Sequence, residues 1–340
     1  MSSDNIPGDG PRNAAERDPV ILSRRTQRRQ KKQLKQLQND LATEKRGIID
    51  LPYEIIVEIL LLLRPSDLFK LARTSKGFHD FVMEHHVQDT LARGIISRRY
   101  ACLAKCFGLP VLLTNLDASV RAALQSAERQ EIMAIHRKPY QHLALPDPDV
   151  ICTCLTCTLR WNSLCLAVDF AHWQPHLDAG EPIRMTPRGP NPQWNRDLVD
   201  AGAAVVSRAL RRPLWHARIL EAHLESTTRS VLRHVQNRGN KRRHFVLNER
   251  DRLAGTDAFL ERSGPPTLDF PFHRDNYYML EAYLPNRSWS REKGRWMYMP
   301  MDQHDQDVRF LVAWVERKRR ERAQEEGEKA GEGVLTGDHR

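Results

Sequence analysis

The 340-residue sequence has no apolar stretch approaching the ~20 residues that a membrane-crossing helix needs. The apolar run Ile59–Leu63 stops at Arg64-Pro65. Met1–Asn5 lacks the basic-then-apolar order of a secretory signal. Cysteine is sparse, six in the chain with three crowded into 152–157, which is not the framework of a disulfide-stapled secreted domain. These absences predict residence in the nucleus and/or cytoplasm, without membrane association. There is also no Gly-x-Ser-x-Gly, no phosphate-binding glycine loop and no His-Glu-x-x-His. The fourteen histidines are scattered, and no catalytic set emerges, so a non-enzymatic protein is expected. The chain has no internal repeat, which excludes propeller, leucine-rich and ankyrin arrays.

What is present is globular in composition, 40% hydrophobic and 28% charged, and long enough for roughly two domains. The net charge of +10 is unevenly spread. Residues 1–47 hold eleven Lys/Arg against six Asp/Glu, whereas residues 48–92 hold four against seven. Residues 1–47 read as a disordered basic tail, with Leu34, Leu37 and Leu41 on a helical stripe too thin to hold a helix unaided. Arg24, Arg25, Arg28, Arg29, Lys31 and Lys32 form a nuclear-import candidate, with a solvated basic tail as the equal alternative.

Residues 48–92 change character. Pro52 suits a first helical turn, and Glu54 lies at that helix's positive end. Ile55, Ile56, Ile59, Leu60 and Leu63 follow on one broad helical face. The Arg64-Pro65 step ends the helix. Ser66 or Asp67 is placed to cap a second helix carrying Leu68 and Leu71, and Thr74 or Ser75 a third carrying Phe78, Phe81 and Val82. Three short helices in about 40 residues make too little core alone. The apolar surplus calls for a partner, and a groove on another protein would accept it.

Leu51, Pro52, Glu54, Ile55, Ile59, Leu60, Leu63, Asp67, Leu68, Leu71, Ser75, Lys76 and Phe78 stand where the F-box family has its characteristic residues, and the segment resembles an F-box. The resemblance covers about one eighth of the chain. It implies docking onto the linker subunit of cullin-RING (SCF) ubiquitin ligases, and through it the cullin. The rest of the chain would present an unidentified protein substrate. Leu51, Pro52, Ile55, Ile56, Ile59, Leu60, Leu63, Leu68 and Leu71 would form the docking face. Two other readings remain: an F-box protein acting outside the ligase, and a nucleic-acid-associated protein using Arg24–Lys32, Lys241–Arg243 and Arg317–Arg322. Basic runs without interleaved aromatics speak against nucleic acid as the partner.

Residues 93–322 read as a predominantly helical, irregular domain with few short strands, and residues 323–340 as a glycine-rich disordered tail. The fold class expected is therefore mainly α. Residues 95–113 read as a mixed connector and about 117–136 as one amphipathic helix. A helix follows the cysteines, then a loop at 182–192 with Gly180 and Gly189 as positive-φ positions, then two helices split at Pro213. Residues 296–299 form a candidate strand, and Val308, Leu311, Val312 and Val315 mark a last helix. All seven tryptophans lie between 161 and 314 and can supply that domain's core. The stretch 159–174, with Trp194-Asn195, resembles a C-terminal region of filamentous-fungal F-box proteins. Cys154-x-x-Cys157 is a zinc half-site by spacing, and Cys152 and Cys165 are the nearest further thiols. Structural zinc on Cys152, Cys154, Cys157 and Cys165 stands beside the reading of reduced, half-buried cysteines with no cofactor.

Overall fold

In a computed structural model of the chain, residues 24–43, 47–135, 142–187, 189–236, 247–262, 287–298 and 303–335 are described. They fall into two units, residues 1–53 and 54–340. The first contains α1 (Arg24–Thr43) and a 3-10 turn at Ile48–Asp50. The turn is closed by its own Asp50, whose carboxylate accepts the Gly47 N–H at 2.7 Å. Arg25, Arg28, Arg29, Lys31, Lys32 and Leu34 of α1 are exposed, and the side chains of Arg24, Leu37 and Leu41 lie outside the described set.

Among the described residues the second unit is mainly helical, as the sequence predicts. Its elements are α2 (Tyr53–Leu61, starting at the junction), α3 (Pro65–Leu71), α4 (Lys76–Met83), α5 (His85–Arg99), α6 (Ala101–Cys106), α7 (Ala118–Leu124) and α8 (Ala127–Ile135). There follow α9 (Leu155–Ala179), α10 (Gln193–Arg211), α11 (Pro213–Gln236), α12 (Glu249–Ala254) and α13 (Ala258–Arg262). An antiparallel hairpin of β1 (Arg287–Ser290) and β2 (Arg295–Tyr298) pairs Trp289 with Trp296, and α14 (His304–Leu335) completes the unit.

α11 is the central element, packed against α9, α5, α10 and α3. Its apolar stripe, Leu214, Ile219, Leu220, Leu224 and Val231, is buried as its spacing predicts. The main core joins this stripe to Leu60 of α2, Leu68 of α3, Val82 of α4, Leu91 and Ile95 of α5, and Phe259 of α13. At about 1.5–3 kcal/mol for each fully buried Leu, Ile or Phe, that shared interior outweighs what three short helices could gain alone. Gly94 of α5 permits close packing: a Cβ there would run into the Leu61 side chain of α2. A satellite core lies apart, made of Leu113, Leu124, Cys152, Cys154, Cys157 and Val308, with Leu311 and Val312 packed on it.

Several boundaries differ from expectation. α5 runs continuously across residue 92, and α6 occupies the expected connector. The amphipathic segment is broken at Gln125 and Ser126 into α7 and α8, with Ser126 accepting the Arg129 N–H at 3.3 Å, so its hydroxyl starts a new helix. α14 continues through Gly327, Gly331 and Gly333 to Leu335; the alanine, glutamate and lysine between them favour the helix, against about 1 kcal/mol for each glycine. Gly180 ends α9 at φ 72°, with Glu181 N–H reaching the His176 carbonyl at 2.9 Å in a Schellman arrangement. Gly189 also has positive φ, 90°.

Candidate functional site

α2 has two apolar faces. Ile56, Val57, Leu60 and Leu61 point into the main core, while Ile55, Ile59 and Leu62 stand 48%, 37% and 66% exposed. The nine residues expected on the docking face are therefore divided. Ile56, Leu60 and Leu68 are sealed inside the chain's own interior, and the docking role expected of them gives way to a core role. Leu63 and Leu71 are half-buried. Ile55 and Ile59 face solvent, as do Leu51 and Pro52 in the preceding unit. Leu62 was not expected there; it lies three residues beyond Ile59, a helical neighbour, which is the signal that could have found it.

The ends of these helices are held by distant parts of the same unit. α3 has no side-chain cap of its own; Glu221 of α11 accepts the Ser66 N–H at 2.8 Å and the Ser66 hydroxyl at 2.7 Å. The expected capping by Ser66 or Asp67 is thus replaced, because α3 begins at Pro65 and both residues are already inside the helix. The Arg99 guanidinium donates to the Leu62 carbonyl just past α2, at 2.6 Å, and to the Ala254 carbonyl at 2.8 Å. α4 starts as expected, with Ser75 accepting the Phe78 N–H at 3.2 Å. The outward face of α2 is consequently carried on a braced scaffold.

The cysteine cluster assembles differently from its sequence reading. Cys165 lies inside α9 and belongs to the main core, away from the satellite core that holds the other three. In its place stands His304, the first residue of α14. Its Nδ1 is 3.4 Å from Cys154 Sγ and 3.3 Å from Cys157 Sγ, and the donor atoms of Cys152, Cys154, Cys157 and His304 all lie within 4.8 Å of one another. Sequence proximity groups Cys165 with the three cysteines, while helix packing brings up His304, about 150 positions downstream, instead. Asp307, in the first turn of α14, braces the start of α9, accepting the Thr156 N–H and hydroxyl at 2.7 Å each. All three thiols are pushed up to about 12. For Cys152 the leading cause is its hydrogen bond with Cys154, and for Cys157 its hydrogen bond with Cys152. At Cys154 the Cys152 contact lowers and the Cys157 contact raises, and burial raises all three.

A groove of about 490 Å³ opens beside this cluster, lined by Ile132, Met133, Leu145, Leu155, Phe310 and Leu311 among others. Of the tryptophans, Trp161 and Trp173 are buried, consistent with a core role. The basic run at 317–322 has acidic neighbours: Arg317 and Lys318 reach Glu321, Arg319 reaches Glu128, and Arg322 reaches Glu128 and Glu131. Lys241–Arg243 lie outside the described residues. Among the described residues, no helix is long and apolar enough to cross a membrane.

No curated protein and no solved structure matches the chain. At residues 48–87 it matches the domain family described as F-box-like, and it therefore carries an F-box-like domain whose helices share their core with α5, α11 and α13.

Proposed function

We propose that the protein is a non-catalytic substrate-receptor subunit of a cullin-RING (SCF) ubiquitin ligase. Its F-box-like segment docks on the linker subunit, and through it the cullin, while the helical body presents a protein substrate. The observation that carries this reading is the outward face of α2. After Ile56, Val57, Leu60 and Leu61 have been buried internally, Ile55, Ile59 and Leu62 remain in water. An apolar helix face left over on a braced scaffold is what helix-in-groove recognition uses. Leu51 and Pro52 join the set by their place in the motif. The stretch 159–174 supports a filamentous-fungal type, and the exposed Arg25, Arg28, Arg29, Lys31 and Lys32 support nuclear as well as cytoplasmic residence.

The test is capture of the purified linker subunit by the full chain and by an Ile55→Asp, Ile59→Asp variant. Both positions are solvent-exposed, so the melting temperature should hold. Loss of central apolar anchors typically costs at least ~2 kcal/mol, or roughly 30-fold in affinity. Equal binding by the variant would end the docking proposal. Cullin recovered together with the linker subunit separates ligase membership from an F-box role outside it.

A further inference from the structure

Two separate stretches of chain, 152–157 and the start of α14, meet at Cys152, Cys154, Cys157 and His304. A short extended pairing places the first: Leu112 bridges Ile151, with Cys152 N–H donating to the Val111 carbonyl and Leu113 N–H to the Val150 carbonyl, both at 2.9 Å. The entry to α9 places the next two, Cys154 as its N-cap and Cys157 in its first turn. The first turn of α14 supplies the histidine. Its position is set by Asp307, which ties that turn to Thr156 of α9.

We propose that these four side chains bind one zinc ion in a closed, structural Cys3His site. Zinc bonds of about 2.3 Å to sulfur and about 2.0–2.1 Å to nitrogen make a tetrahedron with S···N edges near 3.6 Å and S···S edges near 3.8 Å. The two S···N separations of 3.3 and 3.4 Å are already those of a filled site, and the overall spread of 4.8 Å needs only about 1 Å of closure to reach it. Backbone groups are aimed at the sulfurs: Cys154 N–H at Cys152 Sγ (3.5 Å), Cys157 N–H at Cys154 Sγ (3.4 Å) and Val111 N–H at Cys157 Sγ (3.4 Å). Such outer contacts orient ligands and stabilise thiolate charge.

Charge is consistent with the assignment. Binding displaces three thiol protons to solvent, and Zn²⁺ with three thiolates and a neutral imidazole carries one net negative charge. The Arg129 guanidinium lies near Cys152 and Cys154 and is anchored by the Thr153 carbonyl at 2.7 Å. Four protein ligands leave no open position for water, so the site is structural and not catalytic. Its place in the fold gives the reason for an ion. Three of the six buried residues of the satellite core are these cysteines, so that core has little hydrocarbon with which to hold α14 against α9.

The experiment uses the full chain, expressed with zinc in the medium and purified under reducing conditions. Elemental analysis should find about one zinc per chain, and replacement by Co²⁺ should give thiolate-to-metal charge-transfer bands with the visible bands of tetrahedral cobalt. His304→Ala should weaken Co²⁺ binding at least 10-fold and alter the visible bands, with the far-ultraviolet spectrum preserved. Cys165→Ser should change neither stoichiometry nor spectrum. Chelation of the wild-type chain should speed hydrogen exchange in 152–157 and 304–315 while α11 stays protected, a readout that does not depend on any variant folding. Absence of both zinc and a cobalt spectrum in the reduced wild-type chain overturns the proposal. So does a disulfide among the three cysteines in the isolated protein, or metal binding lost with Cys165 and kept without His304.

Discussion

At Glu221 both carboxylate oxygens are engaged. Oε2 accepts the Ser66 N–H and Oε1 the Ser66 hydroxyl, and the Arg218 guanidinium stands 3.3 Å from Oε2. The start of α3 is thereby fully accounted for. Pro65 has no N–H, and Asp67 and Leu68 donate to the Arg64 carbonyl, both at 3.0 Å. Ser66 holds the one donor that needs a remote partner. Glu221→Gln keeps the shape but removes the charge from two hydrogen bonds in a side chain only 2% exposed. Charge-assisted bonds are worth about 1.5–3 kcal/mol, and the amide retains part of this, so a loss of about 1–2 kcal/mol is expected. Urea denaturation reads it as a lower midpoint with an unchanged m-value. A midpoint equal to that of the wild type would mean that this remote cap contributes nothing to stability.

The same device recurs at the level of the helix. α6 also lacks a local side-chain cap, and Asp257, which lies just before α13, accepts its Leu103 N–H at 2.7 Å. Asp307 of α14 does this for α9. Such caps join positions some 150 residues apart, and nothing in a local window announces them. Local signals were legible: Ser75 before α4, the split between α10 and α11 at Pro213, the positive φ of Gly180, and the helically spaced apolar stripe of α11. The illegible part was pairing, namely His304 with the cysteines and Glu221 with Ser66. One pairing has a pH signature. Burial raises Asp257 from the ordinary 3.8 to about 6, against the opposing pull of the Leu103 and Cys102 amides. The folded chain then holds this proton more tightly than the unfolded chain does. Between about pH 4 and pH 6 the unfolded state binds fewer protons, so stability falls as pH rises through that window and is flat above it. Asp257→Asn retains an acceptor for Leu103 and deletes this slope. From pH 4.5 to 7 the variant should gain relative to wild type by an amount of order 1–3 kcal/mol, read as the difference in urea midpoints. A constant difference across that range would rule out a raised Asp257.

On the scale of the whole molecule, the F-box-like segment is continuous with the helical body. The sequence marks 48–92 as a docking module with too little core of its own, and there its apolar surplus is assigned to an outside partner. In the fold, Leu60, Leu68 and Val82 are spent on a core they share with Ile95, Leu214 and Phe259, and the outer face of α2 is left over, with Leu51 and Pro52 also exposed. An excised 48–92 fragment loses that shared core, the Glu221 cap on α3 and the Arg99 contact past α2. At 45 residues it is also near the size at which a domain needs metal, disulfides or a partner to fold. Without a partner it should show little helical circular dichroism and no cooperative melting. In the full chain, Leu60→Ala should cost about 2–5 kcal/mol and lower the transition reported by Trp161 along with that of α2, because Leu60 and Trp161 share the main core. A fragment that melts sharply by itself, or a Leu60→Ala chain in which an early F-box transition separates from an unshifted tryptophan transition, would show that docking module and body fold independently. The docking face would then be carried by a tethered module and not by a surface of the body.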